Sequence, residues 1–164
     1  MLVWAHGLEG SPEGTKVRAL RAAGFEIEAP DGRGLVLAQR LDALDALTAR
    51  LAPRRPVLAG SSYGGLAAAW LAARHPERFS GLLLCAPALH HQEPPVPAGQ
   101  PPVPPLGLAI RVLHGVTDAI VPIAASRRYV KGAGPMVRLD EVDDGHRLAD
   151  SLTAIVALAR ELGA

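Results

Sequence analysis

Residues 57–73 read Val-Leu-Ala-Gly-Ser-Ser-Tyr-Gly-Gly-Leu-Ala-Ala-Ala-Trp-Leu-Ala-Ala. No other stretch restricts the fold as much. Val57–Ala59 suits a strand buried on both faces, and Tyr63–Ala73 suits a helix. Between them the chain carries almost no side chain. A strand and helix joined there can approach backbone to backbone, which larger residues would forbid. A strand that feeds a helix packed back onto it is the repeating unit of a parallel sheet.

The rest of the chain has the same alternation. Strands are expected at Leu2–Ala5, Phe25–Ala29, Gly81–Cys85, Ala109–Leu113 and Met136–Leu139. A helix capped by Ser11, with Pro12 at its first position, is expected to run to Ala23 and stop at Gly24. Leu35–Leu51 is amphipathic, with leucines at 37, 41, 44, 47 and 51. Ile123–Val130 and Asp150–Leu162 read as further helices. Such alternation predicts an α/β three-layer sandwich, a mostly parallel sheet with helices on both faces. At 164 residues the chain reads as one domain, 1–164. One connection breaks the pattern. Residues 90–107 are so rich in proline that an extended segment is expected where a crossover helix would otherwise lie.

Bulk properties exclude several classes of function. A net charge of +1 gives no electrostatic case for nucleic acid or an anionic membrane as partner. A single cysteine, Cys85, excludes an internal disulfide framework and suits a reducing compartment. No apolar run approaches the ~18 residues of a membrane helix, and the first apolar run leaves no room for a leader before it. The expectation is a soluble, cytoplasmic protein.

Reactive groups of an open parallel sheet gather at the carboxyl ends of its strands. Ser61 and Ser62 lie at such an end, but only Ser62 has glycine at both −2 and +2, giving Gly60-x-Ser62-x-Gly64. That spacing is the nucleophile elbow, a sharp turn that needs small neighbours. A serine hydroxyl needs a base, and His146 in Asp-Gly-His follows the last strand. Asp118, past the strand ending at Leu113, is the expected acid to hold the imidazole. Asp140, Asp143 and Asp144 are rivals, but they share the His146 loop and are poorly placed to reach its far nitrogen. The oxyanion donors expected are the backbone N–H groups of Tyr63, after the nucleophile, and Leu8, after His6-Gly7.

In these residues the chain resembles the α/β-hydrolase superfamily. His6-Gly7, Gly60-x-Ser62-x-Gly64, His-Gly-Val-Thr-Asp118 and Asp-Gly-His146 occur in the family's order. The segment Arg74–Ala88 is also similar to a helix end and strand of many members. His6, Gly7, Ser11, Pro12 and Lys16 look like part of the signature of small bacterial esterases. The resemblance implies a minimal, cap-less fold of about six strands in the order 2-1-3-4-5-6. It implies acyl hydrolysis by a serine esterase through an acyl-enzyme, with no cofactor and no metal. The implied partner is a small-molecule acyl ester. Leu8, Glu9, Tyr63, Ala88, Leu89, Ile120, Val121 and Arg147 would border the site. Leu8, Tyr63, Leu89, Ile120 and Val121 would touch substrate. A thioesterase or amidase could use the same three residues.

Other features read as structural. Cys85, Trp4 and Trp70 suit the core. His90-His91 lacks a spaced partner for a metal and reads as a solvated loop. Lys16 is expected on an exposed helix face, and His114 beside the site without titrating in the reaction. Pro101–Pro105 could dock a partner's aromatic groove as polyproline II, which would make the chain a non-catalytic interaction protein. The absent crossover helix leaves a sheet face for the proline segment or a second subunit to cover, so a homodimer is a further option.

Overall fold

The computed structural model describes residues 1–96 and 99–164. Six strands form one sheet: β1 (Leu2–Ala5), β2 (Ile27–Glu28), β3 (Val57–Ser61), β4 (Gly81–Cys85), β5 (Ala109–Gly115) and β6 (Val137–Val142). Their order is β2-β1-β3-β4-β5-β6, and every pairing is parallel. The helices are α1 (Thr15–Ala22), α2 (Leu37–Leu51), α3 (Tyr63–Arg74), α4 (Ile123–Val130) and α5 (Leu152–Glu161).

Alternate residues along each strand serve opposite faces, so a continuous apolar run supplies two cores. Val3, Leu58, Leu82, Leu84 and Ile110 pack with α2, α3 and α4. Leu2, Trp4, Val57, Ala59, Leu83 and Cys85 pack with α1 and α5 on the other face. The result is a three-layer α/β sandwich, as the alternation implied, with the six-stranded order that the resemblance implied.

Several boundaries differ from the sequence expectation. The first helix starts at Thr15, with Gly14 as its N-cap, and Ser11 caps nothing. Ser11–Gly14 instead closes a turn, with Gly14 N–H donating to the Ser11 carbonyl at 3.0 Å. Serine first, proline second and glycine fourth is also the signature of a β-turn, and here the turn prevails. The edge strand is only Ile27–Glu28, because β1 is its sole neighbour. The last helix begins at Leu152, since Asp144 Oδ2 takes the Asp150 N–H at 3.0 Å and the Ser151 hydroxyl at 2.8 Å.

The proline-rich connection of 90–107 forms no helix among its described residues; 97 and 98 lie outside them. Its Val96 and Pro102 are buried, and Val96 belongs to the core cluster that also holds Leu58, Leu82 and Leu84. A groove of roughly 570 Å³ remains between it and α4, lined by Leu89, Val103, Ala125 and Tyr129 among others.

Candidate active site

β3 ends at Ser61 and α3 begins at Tyr63, so Ser62 alone makes the turn between them. Its φ of 54° and ψ of −121° are a strained conformation for a residue with a side chain, worth about 1–3 kcal/mol. Surrounding bonds hold it there. Ser62 N–H donates to the Cys85 carbonyl at 3.0 Å, and the Ser62 carbonyl accepts from Leu66 at 3.1 Å and Ala88 at 3.0 Å. The flanking glycines are steric requirements. A Cβ on Gly60 would stand 2.6 Å from the Gly64 carbonyl oxygen, and one on Gly65 would stand 2.9 Å from Pro87 Cβ. A Cβ on Gly64 would collide with the carbonyls of Ala5 and His6.

The turn aims Ser62 Oγ at His146, whose Nε2 is 3.0 Å away. His146 Nδ1 is 2.7 Å from Asp118 Oδ2. An ionised carboxylate only accepts, so Nδ1 carries the proton and Nε2 is free to accept from the serine hydroxyl. The Asp118 side chain is fully buried. Its Oδ1 accepts the N–H groups of Ile120 and Val121, both at 2.8 Å. Burial pushes this carboxyl up, but the Val121 N–H, His146 and the Ile120 N–H together hold it below the usual carboxylate range.

Two of the rival aspartates have other partners. Asp140 pairs with Arg138 at 3.1 Å. Asp144 Oδ1 accepts the Gly145 N–H at 2.7 Å, and its Oδ2 takes the bonds that delay α5. Its carbonyl accepts the Thr117 hydroxyl at 2.8 Å, which staples the His146 loop to the Asp118 loop.

The turn after β1 lies against the serine: a Cβ on Gly7 would be 3.2 Å from Ser62 Cβ. The His6 ring holds this turn. Its Nε2 accepts the Gly32 N–H at 2.9 Å, so Nδ1 carries the proton and donates to the Gly7 carbonyl at 2.7 Å. Among the described residues, neither the Leu8 nor the Tyr63 backbone N–H finds an acceptor. The two groups expected to face an oxyanion are thus unspent.

The border residues divide into two sets. Leu8 and Ile120 are 61% and 67% exposed, which leaves apolar side chains open at the carboxyl edge. Leu89, Val121 and Tyr63 are buried, so the expectation of an open rim does not hold for their side chains. Leu89 and Tyr63 are drawn into the core beside α2 and α3. Val121 is tied down by its main chain, between Asp118 and His114.

Lys16 is also not on an exposed face. It is half-buried, and its Nζ donates to the Arg147 carbonyl at 2.6 Å, next to His146. Burial lowers its pKa. Two further residues escaped the sequence reading. Arg40 is buried on α2 and donates to the His6 carbonyl at 2.6 Å. Its position one turn from Leu37 and Leu44, inside the leucine stripe, was the available signal. Glu93 accepts the Tyr63 hydroxyl at 2.5 Å and the Leu37 N–H at 3.3 Å, anchoring the proline-rich connection. Burial and that carboxylate push the Tyr63 phenol up to about 12. His91 pairs with Glu93 at 3.2 Å. Cys85 is buried, and burial pushes its thiol up to about 12.

Residues 5–106 match the alpha/beta hydrolase fold family. The chain belongs to the α/β-hydrolase family. The matched span holds the His6 turn and Ser62, while Asp118 and His146 lie beyond it. Several solved structures align with nearly all of this chain. A protein of the alpha/beta superfamily of hydrolases from Xanthomonas campestris pv. campestris is 28% identical, with a TM-score of 0.80, over 98% of this chain and 96% of that one. A monoacylglycerol lipase from Paleococcus ferrophilus is 18% identical, with a TM-score of 0.75, over 98% and 94%. The mouse alpha/beta hydrolase domain-containing protein 10 is 18% identical, with a TM-score of 0.79, over 98% and 88%. No curated protein matches the sequence. Among the described residues of this α/β hydrolase, no helix is long and apolar enough to cross a membrane.

Proposed function

We propose that this α/β hydrolase is a serine esterase, cleaving small carboxylic esters through an acyl-enzyme. The observation that carries the reading is the unbroken line of hydrogen bonds from Ser62 Oγ through His146 to Asp118. In the proposed reaction Ser62 Oγ attacks the ester carbonyl and gives its proton to His146 Nε2. Asp118 stabilises the imidazolium that forms. The Leu8 and Tyr63 N–H groups receive the negative charge that develops on the carbonyl oxygen. Collapse breaks the bond to the alcohol, which leaves with the proton from Nε2. Water then attacks the acyl group, passes a proton to Nε2, and releases the acid as Ser62 recovers its own proton.

Residues 1–164 act in this reading as one domain, with 90–107 in place of a cap. Without a cap, the exposed Leu8 and Ile120 would offer apolar contact to a short acyl chain or alcohol. The test is fluorophosphonate labelling together with p-nitrophenyl acetate hydrolysis, comparing wild type with Ser62→Ala. Labelling and turnover should both vanish in the variant. Equal labelling of the two proteins removes Ser62 as the nucleophile. A matched acyl thioester and anilide, run beside the ester, decide between esterase, thioesterase and amidase.

A further inference from the structure

We infer that His114 positions Asp118, acting as a second imidazole donor to the oxygen that orients His146. The inference rests on the Ser62, His146 and Asp118 reading above. His114 lies near the end of β5, four residues before Asp118, and both side chains are wholly buried. Its Nε2 is 3.1 Å from the Val121 carbonyl oxygen and 3.2 Å from Asp118 Oδ2. Its Nδ1 is 2.7 Å from Ser126 Oγ, itself buried on α4.

These partners assign the tautomer. A carbonyl and an ionised carboxylate can only accept, so the proton sits on Nε2. Nδ1 is then an acceptor, and the Ser126 hydroxyl donates to it. Burial lowers the His114 pKa, in keeping with a neutral ring. Ser126, His114, Asp118, His146 and Ser62 thus form one continuous polar line, hydrogen-bonded at every step except His114 to Asp118, where Nε2 and Oδ2 stand 3.2 Å apart.

The Asp118 carboxylate has about four lone-pair positions. Oδ1 takes the Ile120 and Val121 N–H groups, and Oδ2 takes His146 Nδ1–H. The fourth neighbour is His114 Nε2–H, which bonds the Val121 carbonyl and stands 3.2 Å from Oδ2. Removing His114 leaves Oδ2, on a wholly buried carboxylate, with His146 as its one neighbouring donor, and loosens the carboxylate against the His146 ring. His114 touches neither substrate nor Ser62, so its effect passes through Asp118.

The experiment compares His114→Gln with His114→Phe. The glutamine amide can present an N–H near the position of Nε2, whereas phenylalanine fills the space without a donor. We expect His114→Phe to lower kcat for p-nitrophenyl acetate about 10- to 100-fold, and His114→Gln to stay within about 3-fold of wild type, with KM nearly constant in both. Wild-type turnover in a folded His114→Phe, or equal losses in both variants, overturns the inference. Long-range 1H–15N spectra of histidine-labelled wild type supply a readout independent of turnover and of whether the variants fold. They should show His114 neutral and protonated on Nε2. A proton on Nδ1 overturns the inference, whatever the outcome of the Ser62 labelling. Loss of labelling specificity for Ser62, with the Nε2 tautomer intact, would instead sink the esterase reading alone.

Discussion

Gly64, at the start of α3, lies so close to the carbonyl of Ala5, at the end of β1, that no side chain fits between them. The contact brings the Ser62 turn against the His6-Gly7 turn, because Ala5 and Gly64 each adjoin one of them. It also fixes how deep α3 sits on the sheet.

Gly64→Ala should therefore destabilise the fold by about 3 kcal/mol, since backbone carbonyls cannot yield as a flexible side chain would. Gly132 is a useful contrast. Its φ is +75°, but nothing lies within 4 Å of a Cβ added there. Gly132→Ala should cost only about 1 kcal/mol, the penalty of a left-handed conformation. Urea midpoints of the two variants check the difference, and equal midpoints would refute the steric account.

Asp118→Asn should leave the proposed esterase nearly inactive, with kcat lower by about 10⁴-fold. An amide N–H facing His146 Nδ1 would favour the other tautomer, leaving Nε2 protonated and unable to accept from Ser62. Steady-state hydrolysis of p-nitrophenyl acetate measures the loss. Circular dichroism shows whether the fold has survived.

Asp118 also makes stability depend on pH. Its folded pKa is depressed, so as pH falls the unfolded chain takes up the proton first. The contribution is fully present above the ordinary aspartate value of about 3.9. It is lost as pH drops through the lower folded value. The stability gap between wild type and Asp118→Asn should hence narrow between pH 5 and the most acidic pH at which both still fold, in urea titrations at stepped pH. A gap that widens on acidification would contradict the assigned direction.

Lys16→Met removes the donor to the Arg147 carbonyl and leaves that group unpaired. The His146 loop should loosen, lowering kcat about 10-fold. Faster hydrogen exchange confined to residues 143–149 would accompany it. Unchanged exchange in that loop would show that Lys16 does not hold it.

Glu93→Ala frees the Tyr63 hydroxyl and releases the proline-rich connection from α2. The expected cost is about 1–2 kcal/mol. Limited proteolysis should then cut within residues 90–107 at a protease dose that spares wild type.

The fold was legible from the sequence because its signals are local. Gly81–Cys85 and Ile123–Val130 match the structure residue for residue, since apolar runs and turn residues mark both ends of each. The sharp turn at Ser62 was legible for the same reason: the glycines at 60 and 64 are needed within one turn of chain. Asp118 and His146 could be proposed from their places after β5 and β6, because a parallel sheet delivers every strand end to one edge.

What the sequence by itself determined was thus the alternation of elements and which strand ends carry polar chemistry. Only the tertiary structure decided that α1 starts after a turn instead of at Ser11, that Leu89 and Val121 turn inward, and that Lys16, Arg40, Glu93 and His114 brace the site. For Lys16 and Arg40 the physical reason is distance along the chain. Lys16 meets Arg147 across 131 residues, and Arg40 meets His6 across 34. A bond of that kind leaves no periodicity in the sequence, and it exists only after the sheet has brought the loops to a common edge.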